Sequence, residues 1–313
     1  MPLSEENPVF AANEIIAEKY QIIELVGRGS MGLVYKAKHI PLNRNVAIKV
    51  LTPDKPLDPV SKKRFEREAY VVASINHPNI VTVHDSGVLK NGMLYLVMEY
   101  LEGETLADLL TSSPKLDFKT AVPIFMQVCA ALDYAHSQDV IHRDLKPSNI
   151  MLVKGLAGVQ TAKVIDFSIA KFTKPKPDQK TITRPGDVFG SPFYMSPEQC
   201  QAKVLDHRSD IYSLGCVMYE ALCGAPPLMG ENAMTTIYMH VHRWPTPMSE
   251  LVKDPPLPDY LEAIVVKALE KEPEERFQSA RELLEELQCF YEQQTTKATL
   301  PSWLKQIGQI FSR

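Results

Sequence analysis

The stretch of sequence best suited to chemistry is the octapeptide HRDLKPSN at residues 142–149, which carries polar and charged groups between apolar flanks. A loop held to a core on both sides can present Asp144, Lys146 and Asn149 at fixed offsets. Phosphoryl transfer requires a carboxylate that accepts a hydroxyl proton, an ammonium group that offsets phosphate charge, and an oxygen that binds a metal. The octapeptide is therefore a candidate site for phosphoryl transfer.

A second candidate is the pair Lys49 and Glu68. Lys49 lies inside the apolar, strand-like run 46–51, and Glu68 falls on the apolar stripe of a predicted helix. An unpaired carboxylate on such a stripe is costly, so the two opposite charges are predicted to form an ion pair. The alternative for Lys49 is an edge-strand lysine that reaches solvent.

The third candidate is a glycine cluster, Gly27-x-Gly29-x-x-Gly32-x-Val34, between two predicted strands. A dinucleotide site would need a helix directly after the glycines, and here a strand follows. Glycines in a hairpin let backbone amides approach phosphate oxygens without a Cβ in the way, so the cluster predicts a flap over nucleotide phosphates. The alternative is a plain hairpin turn.

Taken together with Asp166-Phe167-Ser168 and Ser196-Pro197-Glu198, these motifs resemble those of bacterial serine/threonine protein kinases over about 20–292. The resemblance implies an α+β, bilobal fold. Its small lobe would hold a five-stranded antiparallel sheet with one helix, and its larger lobe would be mainly helical. The expected domains are an N-terminal arm at 1–19, the small lobe at 20–101, the large lobe at 102–292 and an amphipathic tail at 293–313.

The same resemblance assigns roles to individual residues. The expected catalytic residues are Asp144, Lys146, Lys49 and Glu68, and the expected metal ligands are Asn149 and Asp166. The expected ATP-binding residues are Gly27, Gly29, Gly32, Val34, Ala47, Lys49, Met98, Glu99 and Leu101.

The chain from Ser168 to Glu198 carries three further expectations, on a motif position, on phosphorylation and on an ion pair. Ser168 stands where the family usually has glycine, which should make the flipped, inactive arrangement of this motif less accessible and leave the metal ligand unaffected. Thr181 and Thr183 are candidate phosphosites because Arg143 needs an anion; the alternative is an unregulated lid. Glu198 is expected to pair with Arg276 as a structural tie.

Composition limits the partners, the metal sites and the cellular compartment that are expected for this protein. With 34 basic and 38 acidic residues the net charge is −4, so no nucleic-acid partner is expected. Five cysteines without C-x-x-C spacing predict a reduced, cytoplasmic protein without a zinc site, and no apolar run is long enough to span a membrane. The tail stripe from Trp303 to Phe311 would pack on its own domain or else contact a membrane surface or a partner. Oligomeric state and membership of a longer chain stay open.

The expected function is transfer of the γ-phosphate of ATP to serine and threonine hydroxyls of proteins, with Mg²⁺, or Mn²⁺ as the alternative metal, and with regulation by phosphorylation of the activation segment. A pseudokinase scaffold is the competing hypothesis, supported only by Ser168, because Lys49, Asp144 and Asp166 are all present. A small-molecule kinase is the weaker rival, since the segment through Glu198 is typical of enzymes that dock peptides.

Overall fold

The computed structural model describes residues 9–29, 32–51, 59–154, 160–167 and 192–299, without the side chains of 59–64, 68 and 296–299. They form two compact units. The first comprises the described residues up to Leu106 together with 134–144 and 148–167, and the second comprises 107–133, 145–147 and 192–299. Among these described residues, no helix has the length and apolar character needed to cross a membrane.

The first unit contains an antiparallel sheet with one helix. In chain order its elements are β1 (Ile15–Ile16), β2 (Tyr20–Gly29), β3 (Gly32–His39), β4 (Arg44–Leu51), α1 (Pro59–Ala73), β5 (Val83–Val88) and β6 (Leu94–Glu99). The strand order is β1-β2-β3-β4-β6-β5. The predicted five strands are present, and the short β1 makes a sixth that the sequence analysis missed. Two residues are too few to produce a periodic pattern.

Residues of the predicted N-terminal arm belong to the core of this sheet. Phe10 and Ile16 are buried with Ile22, Tyr35 and Ile48 in one hydrophobic cluster. The ring of Phe10 packs edge-on against Tyr35, whose hydroxyl accepts a hydrogen bond from the backbone N–H of residue 9 at 3.0 Å. The sheet core therefore begins about ten residues before the predicted boundary.

A second, three-stranded sheet belongs to the same unit. It consists of β7 (Gly103–Thr105), β8 (Ile150–Lys154) and β9 (Gln160–Val164), in the order β7-β8-β9. Val164 joins it to the chain before β5, because its N–H donates to the carbonyl of Asn79 at 2.8 Å and its carbonyl accepts from Val81 at 3.0 Å. Ile150 pairs with Val164, so the residue before β8 and the residue after β9 lie side by side. This register positions the candidate active site.

The remaining elements are helices, which make up most of the second unit. They are α2 (Leu106–Ser112), α3 (Phe118–Ser137), α4 (Pro197–Cys200), α5 (Arg208–Cys223), α6 (Ala233–His242), α7 (Met248–Leu251), α8 (Asp259–Ala268) and α9 (Ala280–Thr299). Fourteen residues of α5 are buried, and the helix ends at Gly224, which adopts φ of 91° as a left-handed cap. Apolar residues at helical spacing along α3, from Ala121 to Ala135, are buried. Pro123 is the sixth residue of α3 and lies inside the helix.

Candidate active site

Lys49 and Asp166 meet in the first unit. Lys49 lies on β4 between Val34 of β3 and Leu96 of β6, and its Nζ is 2.9 Å from Oδ2 of Asp166, two residues after β9. The two side chains are 17% and 28% exposed, so the pair is accessible to a ligand. An expected catalytic residue and an expected metal ligand, 117 positions apart in the chain, thus form an ion pair.

His142 connects the loop at 142–149 to the strand before Asp166. It is fully buried, its Nδ1 accepts the N–H of Asp144 at 3.3 Å, and its Nε2 lies 2.9 Å from the carbonyl of Ile165. Because Nδ1 accepts, Nε2 carries the proton and donates to Ile165. The imidazole also packs edge-on against Phe167, with ring centroids 4.8 Å apart. His142 therefore holds Asp144 close to the segment that bears Asp166.

Asn149 makes the second connection. Its Nδ2 donates to the backbone carbonyl of Asp144 at 2.8 Å, with a longer contact of 3.4 Å to Asp144 Oδ2. Its own carbonyl accepts the N–H of Ile165 at 2.9 Å. With Nδ2 used by Asp144, the amide oxygen of Asn149 remains to serve as a metal ligand. Together with the carboxylate of Asp166 it provides the hard oxygen donors that Mg²⁺ and Mn²⁺ prefer, so the residues fit a divalent cation.

The backbone beside these groups is strained. Arg143, directly before Asp144, has φ of 67°, and Asp166 has φ of 60°. Side chains other than glycine rarely occupy this left-handed region, at a cost of about 1–3 kcal/mol per residue, and such residues cluster at functional sites. The hydrogen bonds of His142 and Asn149 hold the loop in this conformation.

The glycine cluster lies in the hairpin of β2 and β3, as predicted. Gly27 faces Val34 and Gly29 faces Gly32, while residues 30 and 31 lie outside the described residues. Gly32 has φ of 152°, and a Cβ there would lie 2.0 Å from the carbonyl oxygen of Val50, so only glycine fits. A Cβ on Gly27 would make ordinary contact with Val34. Packing therefore requires a glycine at position 32 but not at position 27. The expected contact with ATP is the remaining reason for a glycine at position 27.

Three of the expected ATP-binding residues, Met98, Glu99 and Leu101, lie at or just after the end of β6. Met98 is buried opposite Ala47 of β4, and Leu101 follows two residues after the strand. The Glu99 N–H donates to the carbonyl of Thr82 at 2.9 Å. The Glu99 carboxylate accepts from the N–H of Thr82 and from Lys163 Nζ, both at 2.8 Å. Burial alone would raise the pKa of Glu99, and these donors outweigh burial and lower it. This ion pair between β6 and β9 was not predicted.

The predicted tie between Glu198 and Arg276 is confirmed in the second unit. Arg276 donates through Nη1 and Nη2 to the two carboxylate oxygens of Glu198, each at 2.8 Å, and Ser209 Oγ donates to Glu198 at 2.6 Å. Both partners are buried. Burial would raise the pKa of Glu198, but the guanidinium of Arg276 outweighs it and lowers that pKa below its ordinary value of 4.5.

Other predicted site residues are less fully described. Lys146 lies two positions after Asp144 in the same loop and is half-buried. Glu68 is in α1, but its side chain lies outside the described residues. Ser168, Thr181 and Thr183 lie outside them as well, as does the tail from residue 300 onward. His142 and Lys163 were missed by sequence reasoning. The signal for both was a polar side chain beside apolar residues, His142 after Ile141 and Lys163 between Ala162 and Val164 in β9.

Comparison with known proteins decides the family. The model of the protein kinase domain family matches residues 20–287. The chain belongs to the protein kinase family. This protein kinase domain is 40% identical over 286 residues to the serine/threonine-protein kinase PknB of Mycolicibacterium smegmatis, covering 90% of this chain and 44% of the relative. It is 39% identical to a probable serine/threonine-protein kinase of Streptomyces coelicolor, covering 90% of this chain and 41% of that one.

Solved structures agree with the assignment. The kinase domain of PknI from Mycobacterium tuberculosis matches with a TM-score of 0.69 at 27% identity, over 90% of this chain and 99% of that one. The chain is thus a protein kinase domain with the kinase fold, as the resemblance implied. It spans less than half the length of the curated relatives it matches. The family uses ATP and a divalent metal and acts on protein hydroxyls.

Proposed function

We propose that this domain transfers the γ-phosphate of ATP to serine and threonine hydroxyls of proteins, with Mg²⁺, or Mn²⁺ in its place. The observation that carries the proposal is the ion pair of Lys49 and Asp166 beside the loop that holds Asp144 and Asn149. A pseudokinase scaffold is the less favoured alternative, because the residues whose loss marks that class are present and Lys49 and Asp166 meet in one site.

Asp144 is proposed to accept the proton of the substrate hydroxyl as the new oxygen–phosphorus bond forms. The bond between the γ-phosphorus and the β-phosphate oxygen breaks, and ADP leaves. Lys146 offsets the charge of the transferring phosphoryl group, and Lys49 contacts the α- and β-phosphates, oriented by Glu68. Asn149 and Asp166 would hold the metal ion, which neutralises charge on the phosphates when bound.

The adenine ring is proposed to bind at the end of β6. Ala47, Met98 and Val34 would provide apolar contacts, and the backbone between Glu99 and Leu101 would bond the base. The Glu99 N–H already donates to Thr82, so the carbonyl of Glu99 and the groups of Leu101 are the better candidates. Gly27, Gly29 and Gly32 would let the hairpin amides approach the phosphates.

Phosphorylation of Thr181 and Thr183 is proposed as the regulation of this activity. The support is their place in a basic segment that follows Asp166, together with the half-buried Arg143 beside Asp144. Phosphopeptide mapping of active protein should find phosphate on one or both. A Thr181→Ala, Thr183→Ala double variant as active as the wild type would contradict this part of the proposal.

A transfer assay tests the function itself. The purified chain is incubated with γ-labelled ATP, MgCl₂ and a generic protein substrate, beside the variant Asp144→Asn. Asp139→Asn is the matched control, because Asp139 is an exposed aspartate five residues away. Label on serine and threonine is expected with the wild type and the control, and not with Asp144→Asn. Absence of label on any protein, or label on tyrosine alone, would contradict the proposal.

A further inference from the structure

His240 is a buried histidine outside the candidate active site, and one of its ring nitrogens makes no regular hydrogen bond to the described residues. It lies on α6, is fully buried, and its Nδ1 is 2.9 Å from the hydroxyl of Tyr212 on α5. Its Nε2 is also buried and makes no hydrogen bond of regular geometry to the residues that the structure describes. A buried polar atom without a partner is rare and calls for an explanation.

The direction of the hydrogen bonds around Tyr212 can be worked out. Lys271 Nζ lies 3.3 Å from the Tyr212 hydroxyl, and an ammonium group can only donate. Tyr212 therefore accepts from Lys271 and donates its single proton to Nδ1 of His240. Burial, with the charge of Lys271, lowers the pKa of His240 to about 4, so the ring is neutral near pH 7. A neutral imidazole whose Nδ1 accepts carries its proton on Nε2.

The backbone that this N–H faces belongs to the turn Pro192–Tyr194, which packs against α6. The carbonyls of Phe193 and Pro192 are close enough to favour the charged form of His240. The turn is attached to α5 at its other end, where Ser213 Oγ donates to the Tyr194 carbonyl at 2.7 Å and the Tyr194 hydroxyl donates to Glu220 at 2.6 Å. Tyr194 is thus held by two side chains of α5, and the Pro192 carbonyl accepts the N–H of Met195 at 3.4 Å. The carbonyls of Pro192 and Phe193 also face His240.

We propose that His240 is a positioning residue for protein-substrate docking, with its Nε2–H holding the Pro192–Tyr194 turn in its substrate-bound conformation. Tyr212 and Lys271 set the orientation of the ring. This inference rests on the proposed function, because the turn directly follows the segment that a protein kinase uses to receive its peptide. His240 would act through the backbone of the turn and touch neither ATP nor the reacting hydroxyl.

The principal test replaces His240 by Phe, which retains a ring and removes both nitrogens. KM for the protein substrate is expected to rise about tenfold, equivalent to about 1.4 kcal/mol for one buried hydrogen bond. KM for ATP and the slow hydrolysis of ATP without protein substrate should stay unchanged. His240→Gln places a donor near the position of Nε2 and should recover most of the loss. His242→Phe, an exposed position of the same helix, is the matched control.

A pH profile tests the chain of hydrogen bonds without altering His240. Burial lowers the pKa of Lys271 to about 8. The charged or titratable groups around it are Cys200, Cys216, Glu270 and Arg276, and burial raises the pKa of both thiols well above this range. Above pH 8 a neutral Lys271 can accept from Tyr212, so Nδ1 of His240 loses its donor. KM for the protein substrate should then rise in the wild type and stay level in Tyr212→Phe.

The outcomes separate the two proposals. A wild-type protein that transfers no phosphate would overturn the proposed function and this inference together. An active wild type with an unchanged KM for protein substrate in His240→Phe, or equal rises in KM for protein and for ATP, would overturn the inference alone. If His240→Phe does not fold by circular dichroism, the pH profiles of wild type and Tyr212→Phe decide, and identical profiles would overturn the inference.

Discussion

Two ion pairs of this domain share their chemistry and differ in burial. Lys49 and Asp166, in the first unit, are 17% and 28% exposed. Arg276 and Glu198, in the second, are 0% and 7% exposed. The first pair has a single contact of 2.9 Å, and the second has two parallel contacts of 2.8 Å.

The two ion pairs also differ in the hydrogen bonds and the backbone around them. Arg276 also donates to the carbonyls of Glu270, Arg208 and Lys271, at 2.8, 3.0 and 2.9 Å, so each of its three guanidinium nitrogens is hydrogen-bonded. Asp166 instead has a left-handed backbone with φ of 60°. A fully satisfied, buried pair stabilises one conformation, whereas an accessible pair on strained backbone can exchange its partner for a ligand. Burial and hydrogen bonding thus distinguish the structural pair from the pair that is proposed to act in phosphoryl transfer.

The largest expected effect follows from breaking the accessible pair. Asp166→Asn removes the charge that is proposed to hold the metal, so phosphoryl transfer should fall by roughly 10³-fold or more. The midpoint of urea unfolding should change little, because the pair is partly exposed. Steady-state kinetics and urea titration measure the two quantities. A variant with near-normal activity, or one that is active but strongly destabilised, would reverse the assignment of this pair.

Breaking the buried pair should have the opposite signature. Arg276→Met leaves the Glu198 carboxylate buried without its guanidinium, which costs about 3–5 kcal/mol of unfolding free energy. Transfer activity per folded molecule should fall far less than in Asp166→Asn. Urea titration of Arg276→Met beside the double variant Glu198→Leu, Arg276→Met checks the cause, since removing both charges should recover part of the loss. A loss under about 1 kcal/mol would mean that the pair is not structural.

Acid should weaken the buried pair in a defined direction. The pKa of Glu198 is lowered in the folded protein from an ordinary value of 4.5, so its stabilisation is complete above pH 4.5 and is lost as pH falls through the folded value. The wild type should therefore lose more unfolding free energy than Glu198→Gln below pH 4.5. Urea titrations at a series of pH values measure this, and parallel curves for the two proteins would contradict it.

The smallest effect is expected from an ion pair at the surface. Arg281 donates to Asp133 at 2.6 and 3.1 Å, but Arg281 is 64% exposed. Solvent screens such pairs, so Arg281→Ala should cost only about 0.2–1 kcal/mol and leave activity unchanged. The comparison with Arg276→Met under the same urea conditions tests whether burial sets the difference. Equal losses from the two variants would contradict that view.

Much of the fold was predictable because its helices follow from local patterns in the amino-acid sequence. The start of α1 at Pro59, the buried stripe of α3 and the end of α5 at Gly224 follow from proline, apolar periodicity and glycine. The strand β1 and the burial of Phe10 were not predictable, because a two-residue strand and a single aromatic side chain have no period. The start of α3 at Phe118 was not predictable from Pro123, which marks a first turn by its type but is the sixth residue of the helix.

The site was predictable as a set of residues and only partly as a set of contacts. Sequence reasoning paired Lys49 with Glu68, and the contact that the structure describes is with Asp166. It found Asp144 and Asn149 but not the role of His142, whose ring joins the loop to Ile165. Glu99 was chosen for its backbone, and its carboxylate proved to bind Lys163. These contacts join residues 23 to 117 positions apart.

The amino-acid sequence alone determined which side chains are available for phosphoryl transfer and, through the order of its motifs, the family to which they belong. The tertiary structure alone decided their partners, the left-handed backbone at Arg143 and Asp166, and the burial that separates the two ion pairs. The physical reason is the separation in the sequence over which each kind of interaction acts. Helix and turn signals arise between neighbours a few residues apart, whereas charge pairing and desolvation depend on which distant segments the sheet register brings together.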